Sequence, residues 1–183
     1  MHRRPLNTLL DRYAEAWPDE ANLVARFRAF CADHADCLLR TCVPGHITAS
    51  AWITDGDRAL LTHHRKLDRW LQLGGHVDGE VHVEQAALRE AREESGMTAL
   101  ELVRWGPDLV PLDLDVHRIP ARANEPAHDH WDVRFWLRAA AGQALVLSDE
   151  SHALRWFHPS ELATVTGEES VLRLPRKVAL LQR

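Results

Sequence analysis

The sequence predicts an α+β fold, a mixed β-sheet with helices packed against it. Two observations carry this. Segments with strand alternation and segments with helical spacing interleave irregularly along the 183 residues, and strand pairs flank one helix on both sides. There is no internal repeat and no low-complexity linker. The chain is long enough for one domain with a sizeable core and a small extension. A composition of 45% hydrophobic and 27% charged residues is that of an ordinary globular protein.

Residues 4–17 and 19–34 have helical spacing, with Leu9, Leu10 and Tyr13 on one stripe and Leu23, Val24, Phe27 and Phe30 on the other. Pro18 separates them and Asp19 is placed to cap the second. We expect residues 1–44 to form a helical extension and residues 45–183 the main domain. The extension has three open roles: packing on the domain, a contact in a homodimer, or a wall of the substrate pocket.

Strands follow over residues 46–54 and 58–64, joined by the turn Asp55-Gly56-Asp57. A basic patch, Arg65, Lys66 and Arg69, precedes Gly74-Gly75. Beyond the central helix, strands are expected at 100–105, 112–119, 128–137, 144–147 and 153–158, with a loop over 120–127. Alternation puts Asp113, Asp115 and His117 on one face of their strand. It puts His128, His130, Asp132 and Arg134 on one face of theirs, with Trp131, Val133, Phe135 and Leu137 facing the core. Pro159 starts a helical turn, and a last helix covers 169–181.

The chain is organised around Gly74-Gly75-His-Val-Asp-Gly-Glu80 and the helical run from Val83 to Gly96. At 100° per residue, Glu90, Glu93 and Glu94 fall within about 100° of arc. Ala87, Leu88 and Ala91 form the inward face. Clustered carboxylates repel by roughly 0.2–0.5 kcal/mol per pair, a cost that a cation reverses. Hard oxygen donors suit Mg²⁺ or Mn²⁺. The glycines let the backbone approach a metal or a phosphate closely.

Residues Gly75 to Met97 resemble the Nudix box, G-x5-E-x7-R-E-U-x-E-E-x-G-U, where U is bulky and apolar. Gly75, Arg89, Glu90, Glu93, Glu94 and Gly96 match its spacing, with Ala91 and Met97 at the U positions. Val81 stands where the box has glutamate, and Glu80 lies one residue early; a one-residue slip would let Glu80 serve. The resemblance implies the Nudix fold, an α/β/α sandwich with a mixed sheet between helices. It implies Mg²⁺- or Mn²⁺-dependent cleavage of a nucleoside diphosphate linked to another group X, giving a nucleoside monophosphate and phospho-X. It also implies metal ligation by Glu90, Glu93, Glu94 and the Gly74 carbonyl, with Arg89 orienting the carboxylates. Glu150, six residues before Trp156, resembles a loop glutamate that serves some members as ligand or base.

Arg65 and Lys66 near the glycine loop are candidates for a substrate anion, as are His117, His128, His130 and Arg134 on the later strands. His117, His128 and His130, with Asp115 or Asp132, also have the composition of a second, transition-metal site if their strands pair. The substrate expected is a small nucleotide-type diphosphate. Pro111 sits near the distance seen in ADP-ribose pyrophosphatases. The only tyrosine is Tyr13, so the downstream tyrosine of dinucleoside polyphosphate members is missing, as is the S-Q-P-W motif of NADH-type members.

A net charge of −5 gives no general basic field for nucleic acid. No apolar run approaches the roughly 18 residues of a membrane span, and no apolar segment follows Arg3 and Arg4 as in a secretory signal. Cys31, Cys37 and Cys42 read as free thiols of a cytoplasmic protein, and with His34 they fit no common zinc spacing. The alternative to an enzyme is a non-catalytic Nudix-like module that binds a nucleotide effector, but such a binder does not need the costly carboxylate cluster. An isomerase of the isopentenyl diphosphate type would need a cysteine near the glycine loop, and none follows Cys42.

Overall fold

The structure is a computed structural model that describes residues 3–122 and 125–182. Two helices open the chain, α1 (Arg4–Ala16) and α2 (Ala21–Asp33), joined by a 3₁₀ turn at Pro18–Glu20. Then come β1 (Gly45–Asp55), β2 (Arg58–His64), β3 (Arg69–Leu71), β4 (Leu73–His76) and α3 (Val83–Ser95). They are followed by β5 (Leu100–Leu102), β6 (Asp113–Ile119), β7 (His128–Ala139), β8 (Ser151–Phe157), α4 (Pro159–Val165) and α5 (Glu169–Leu181).

The sheet is built on one parallel pair, β1 beside β7, in register from Gly45 opposite Asp129 to Thr54 opposite Arg138. Both strands then fork. The first half of β1 pairs with β4 and its end with β2. The first half of β7 pairs with β6 and its end with β5. β2 carries β3 beyond β1 on the same edge, at Thr62, His63 and His64, and β8 along its other edge. Strands covered on both faces need apolar or small residues on both, and β1 has them. Ile47, Ala49, Ala51 and Ile53 enter one core with Val133, Phe135 and Leu137 of β7 and Ala86, Ala87 and Ala91 of α3. Trp52 enters the other with Trp136, Leu61, Phe157, and Val171 and Leu174 of α5. The sheet is therefore sandwiched between helices, as expected.

The N-terminal helices use their apolar stripes within this architecture. Leu6, Leu10, Tyr13, Val24 and Phe27 belong to the first core. Phe30 stacks on Trp131 of β7 at 4.4 Å between ring centroids, and Phe27 meets the same ring edge-on at 5.1 Å. The Tyr13 hydroxyl accepts from the Leu114 N–H (3.2 Å) and from Lys177 Nζ (2.6 Å), tying α1 to β6 and α5.

Two expectations need correction. Residues 144–147 form no strand: the Val146 N–H donates to the Ser95 carbonyl at the end of α3, so this segment crosses the helix rather than joining the sheet. The strand from Leu100 stops at Leu102, because residues 105–108 fold into a turn in which Trp105 and Asp108 pair. The stretch before Gly74 is two short strands, β3 on β2 and β4 on β1, parted at Gln72. Residues 123 and 124 of the expected loop lie outside the described residues.

Candidate active site

The glycine loop and α3 meet because side chains are missing where they touch. Gly74 lies opposite Ser50 of β1. A Cβ on it would stand 2.3 Å from Ser50 Cβ and 2.5 Å from Ser50 Cα. Gly75 leaves its space to Glu90, whose Oε2 lies 2.6 Å from where a Cβ would be. Arg89 fastens loop to helix: its guanidinium donates to the His76 carbonyl at 2.9 Å, to Glu90 Oε1 at 2.7 Å and to Glu93 Oε2 at 3.1 Å. Glu80 turns the other way and accepts from the His82 N–H at 3.0 Å, while Val81 packs on the first core. Arg89 is thus held by Glu90, Glu93 and the His76 carbonyl, with no slip that brings Glu80 to it.

Gly74, Glu90, Glu93 and Glu94 line a cavity of about 620 Å³, and Glu150 lines it from the loop before β8. That loop is tied down where the Arg65 N–H donates to the Glu150 carbonyl at 2.9 Å. Arg40, Lys66 and Arg122 add positive charge to the same cavity, and His64, His76, His117, His128 and His130 line it as well. A volume of this size is in the range that holds a nucleotide-sized ligand.

Without a cation the carboxylates are electrostatically frustrated. Burial, reinforced by Glu90 and Glu150, pushes the Glu94 carboxyl up to about 8, and a backbone hydrogen bond from Gly74 offsets this only in part. Burial also raises Glu90, against the pull of Arg89. A cation close to these oxygens reverses both shifts. The donor set is hard oxygen, and Gly75 leaves room for it, so these residues fit Mg²⁺ or Mn²⁺.

Among known proteins, a family model for the Nudix domain matches residues 44–174. The chain belongs to the Nudix hydrolase family. Solved structures of similar fold agree. A Nudix-family hydrolase from Clostridium perfringens is 26% identical, with a TM-score of 0.60 over 74% of this chain and 97% of that one. A MutT Nudix hydrolase from Burkholderia pseudomallei is 24% identical, with a TM-score of 0.56 over 72% and 96%. The dihydroneopterin triphosphate pyrophosphohydrolase of E. coli is 19% identical, with a TM-score of 0.56 over 73% and 94%. Among curated proteins none matches the chain.

Set on this Nudix frame, the residues singled out from the sequence divide. Lys66, His117, His128 and His130 line the cavity with the carboxylates. Arg65 does not line it; its side chain reaches the Ser151 carbonyl at 3.4 Å. Arg134 is a correction. Expected to meet a phosphate, it is 2% exposed and bonds Asp132 (2.8 Å), Asp115 (3.0 Å), Asp113 (3.3 Å) and the Ser170 carbonyl (2.6 Å). Asp132 in turn accepts from Ser50 and Thr48, and the three line the cavity together. The N-terminal helices do not line the cavity among the described residues, although the connector after α2 does through Arg40.

Sequence reasoning missed His46. It sits on β1 directly opposite His130 of β7, which is itself opposite His117 of β6, so one row across three strands holds three imidazoles. The signal was the polar alternation His46, Thr48, Ser50 inside an otherwise apolar strand. Burial, with His76 and His128 alongside, lowers His46 to about 4. Burial and the four rings around it, those of His117, His46, His76 and His128, lower His130 to about 2. His76 is lowered too, by burial and by Arg40.

Proposed function

We propose that this Nudix hydrolase cleaves the diphosphate of a small nucleotide-type substrate, NDP-X, by attack of water on phosphorus, giving a nucleoside monophosphate and phospho-X. One observation carries the reading: carboxylates from two separate segments, Glu90, Glu93 and Glu94 of α3 and Glu150 of the loop before β8, line one cavity with Arg40, Lys66 and Arg122. The anionic groups suit a divalent cation and the cationic ones suit phosphate oxygens. Glu90, Glu93, Glu94, Glu150 and the Gly74 carbonyl would hold Mg²⁺ or Mn²⁺. The chemistry supplied by such an ion is neutralisation of the diphosphate, polarisation of phosphorus and a lowered pKa for water.

The chain's own residues do the rest. Arg89 fixes the carboxylates of Glu90 and Glu93 through its fork of donors. Lys66, Arg40 and Arg122 orient the diphosphate. Glu150, delivered from outside the helix, serves as ligand or as the base that takes the water's proton. His117, held by Asp115 at Nδ1, meets the substrate with Nε2, while His128 is engaged by the Pro126 carbonyl and His130. The helical extension, residues 1–44, and the domain, residues 45–183, share one core, and the extension contributes Arg40. No helix among the described residues is long and apolar enough to cross a membrane. The three cysteines are free and buried, which suits a reducing compartment, and we assign the chain to the cytoplasm on that ground.

The test is a product-release assay with Mg²⁺ and with Mn²⁺, read by mass. The panel holds nucleoside triphosphates, ADP-ribose, NDP-sugars, dinucleoside polyphosphates and coenzyme A. A monophosphate product from one member, lost in EDTA, supports the reading. Binding without turnover across the panel would turn it toward an effector-sensing module.

A further inference from the structure

We propose that His46, His76 and His130 form a binding site for a transition-metal cation of the zinc class, distinct from the carboxylate cluster and at the floor of the same cavity. The three come from three adjacent strands. His46 and His130 are direct register partners on the central parallel pair β1 and β7, and His76 ends β4 on the other side of β1. One nitrogen from each ring lies within 4.8 Å of the other two. A tetrahedral ion with bonds of about 2.0–2.1 Å requires nitrogens about 3.3 Å apart, so small ring rotations close the trio on a cation.

A second observation, independent of that spacing, comes from His46. It is 1% exposed, and neither ring nitrogen has a hydrogen-bond partner. The Cys42 carbonyl is near enough to act on the ring electrostatically, without forming a hydrogen bond of good geometry. A buried imidazole normally satisfies at least its N–H. A fully buried ring with both nitrogens unmatched, beside two further imidazoles, is the donor arrangement that a metal completes. Its Cys42 carbonyl is then the backbone acceptor that a ligating histidine uses for its other nitrogen.

His130 is prepared in a similar way by His128. The Nδ1 of His128 contacts the Pro126 carbonyl at 2.9 Å, which can only accept, so Nδ1 carries the proton. Its Nε2 is then the acceptor for His130 Nε2 at 3.2 Å, which leaves Nδ1 of His130 as a lone-pair nitrogen. Neutral imidazoles select zinc, cobalt, nickel, copper or iron over Mg²⁺, whereas the carboxylates of α3 select the reverse. Three protein ligands leave a fourth position, which faces the cavity that His76 and His130 line. The two sites thus differ in hardness, and the second does not depend on the hydrolase reading.

The test uses the untagged, metal-free full chain. Titration with Co²⁺ is expected to give the visible ligand-field bands of a tetrahedral nitrogen site, saturating at one equivalent. Zn²⁺ is expected to abolish them, and a hundredfold excess of Mg²⁺ to leave them. The His46→Ala and His130→Ala proteins should lose the bands, and the Glu93→Gln/Glu94→Gln protein should keep them. Absence of bands in the unaltered protein overturns the proposal, as does their survival in His130→Ala or their loss in Glu93→Gln/Glu94→Gln. Thiolate charge-transfer absorption would move the site to the cysteines and overturn it equally. If the histidine variants do not fold, ¹⁵N imidazole spectra of the unaltered protein decide. Zn²⁺ must shift the ring signals of His46, His76 and His130; unmoved signals refute the site.

Discussion

A Cβ at Gly75 would stand 2.6 Å from Oε2 of Glu90. The obstacle is the far end of a flexible side chain, so Gly75→Ala is expected to keep the fold and displace the carboxylate. Misplacement of a reacting group by about an ångström costs on the order of 10²-fold in rate. We expect a loss of that size in kcat with an unchanged circular dichroism spectrum. Gly74→Ala should differ, because its Cβ meets Ser50 Cβ and Cα; there a lowered melting temperature comes first.

Glu94 contributes to the site and opposes stability when no cation is present. Its carboxyl titrates at about 8 in the fold against an ordinary value of 4.5. A raised carboxyl binds its proton more tightly folded than unfolded, so stability falls as pH rises from about 4.5 to 8. In EDTA, Glu94→Gln should therefore be increasingly more stable than the unaltered protein across that window, as followed by urea unfolding at pH 5 and pH 8. With Mg²⁺ or Mn²⁺, both Glu93→Gln and Glu94→Gln should abolish turnover. A rate that persists in either variant, or in excess EDTA, removes the assignment.

Glu150 lines the cavity from a separate loop. As ligand or base its replacement by Gln should lower kcat by roughly 10²-fold or more. A near-normal kcat would leave it a loop acid whose backbone alone matters, through the Arg65 N–H.

Arg134 is predicted to act on stability, not on KM. Its loss leaves Asp113 and Asp132, 0% and 3% exposed, short of a partner. Removing one member of a buried charge network costs on the order of 3–5 kcal/mol. Arg134→Met should show this in denaturant unfolding. If instead KM for the diphosphate rises with stability unchanged, the guanidinium reaches substrate after all.

Asp115 sets an acid limit. Burial raises its carboxyl, but His117, Arg134 and Arg173 outweigh burial and hold it below the ordinary range, with Asp132 opposite on β7. A depressed carboxyl contributes stability that is complete above its unfolded value of 3.8 and lost as pH falls toward its folded value. Asp115→Asn should lower the melting temperature at pH 7 and flatten its fall below pH 4.

Local pattern was enough to specify the glycine loop, the carboxylate face of α3 and the faces of β6 and β7, because these follow from periods of 3.6 and 2 and from fixed spacing along the chain. The box residues Gly75, Arg89, Glu90, Glu93 and Glu94 were legible for that reason. The partners of Arg89 were not, since the His76 carbonyl reaches it only when the loop folds back on the helix. Pairing decided the rest. A strand's face can be read locally, but its neighbour cannot, because a neighbour is chosen by long-range burial. Arg134 and His130 lie on the same face of β7; β6 and α5 close over the first, while the cavity opens over the second. His46 gained its neighbours only when β1 took β7 on one side and β4 on the other.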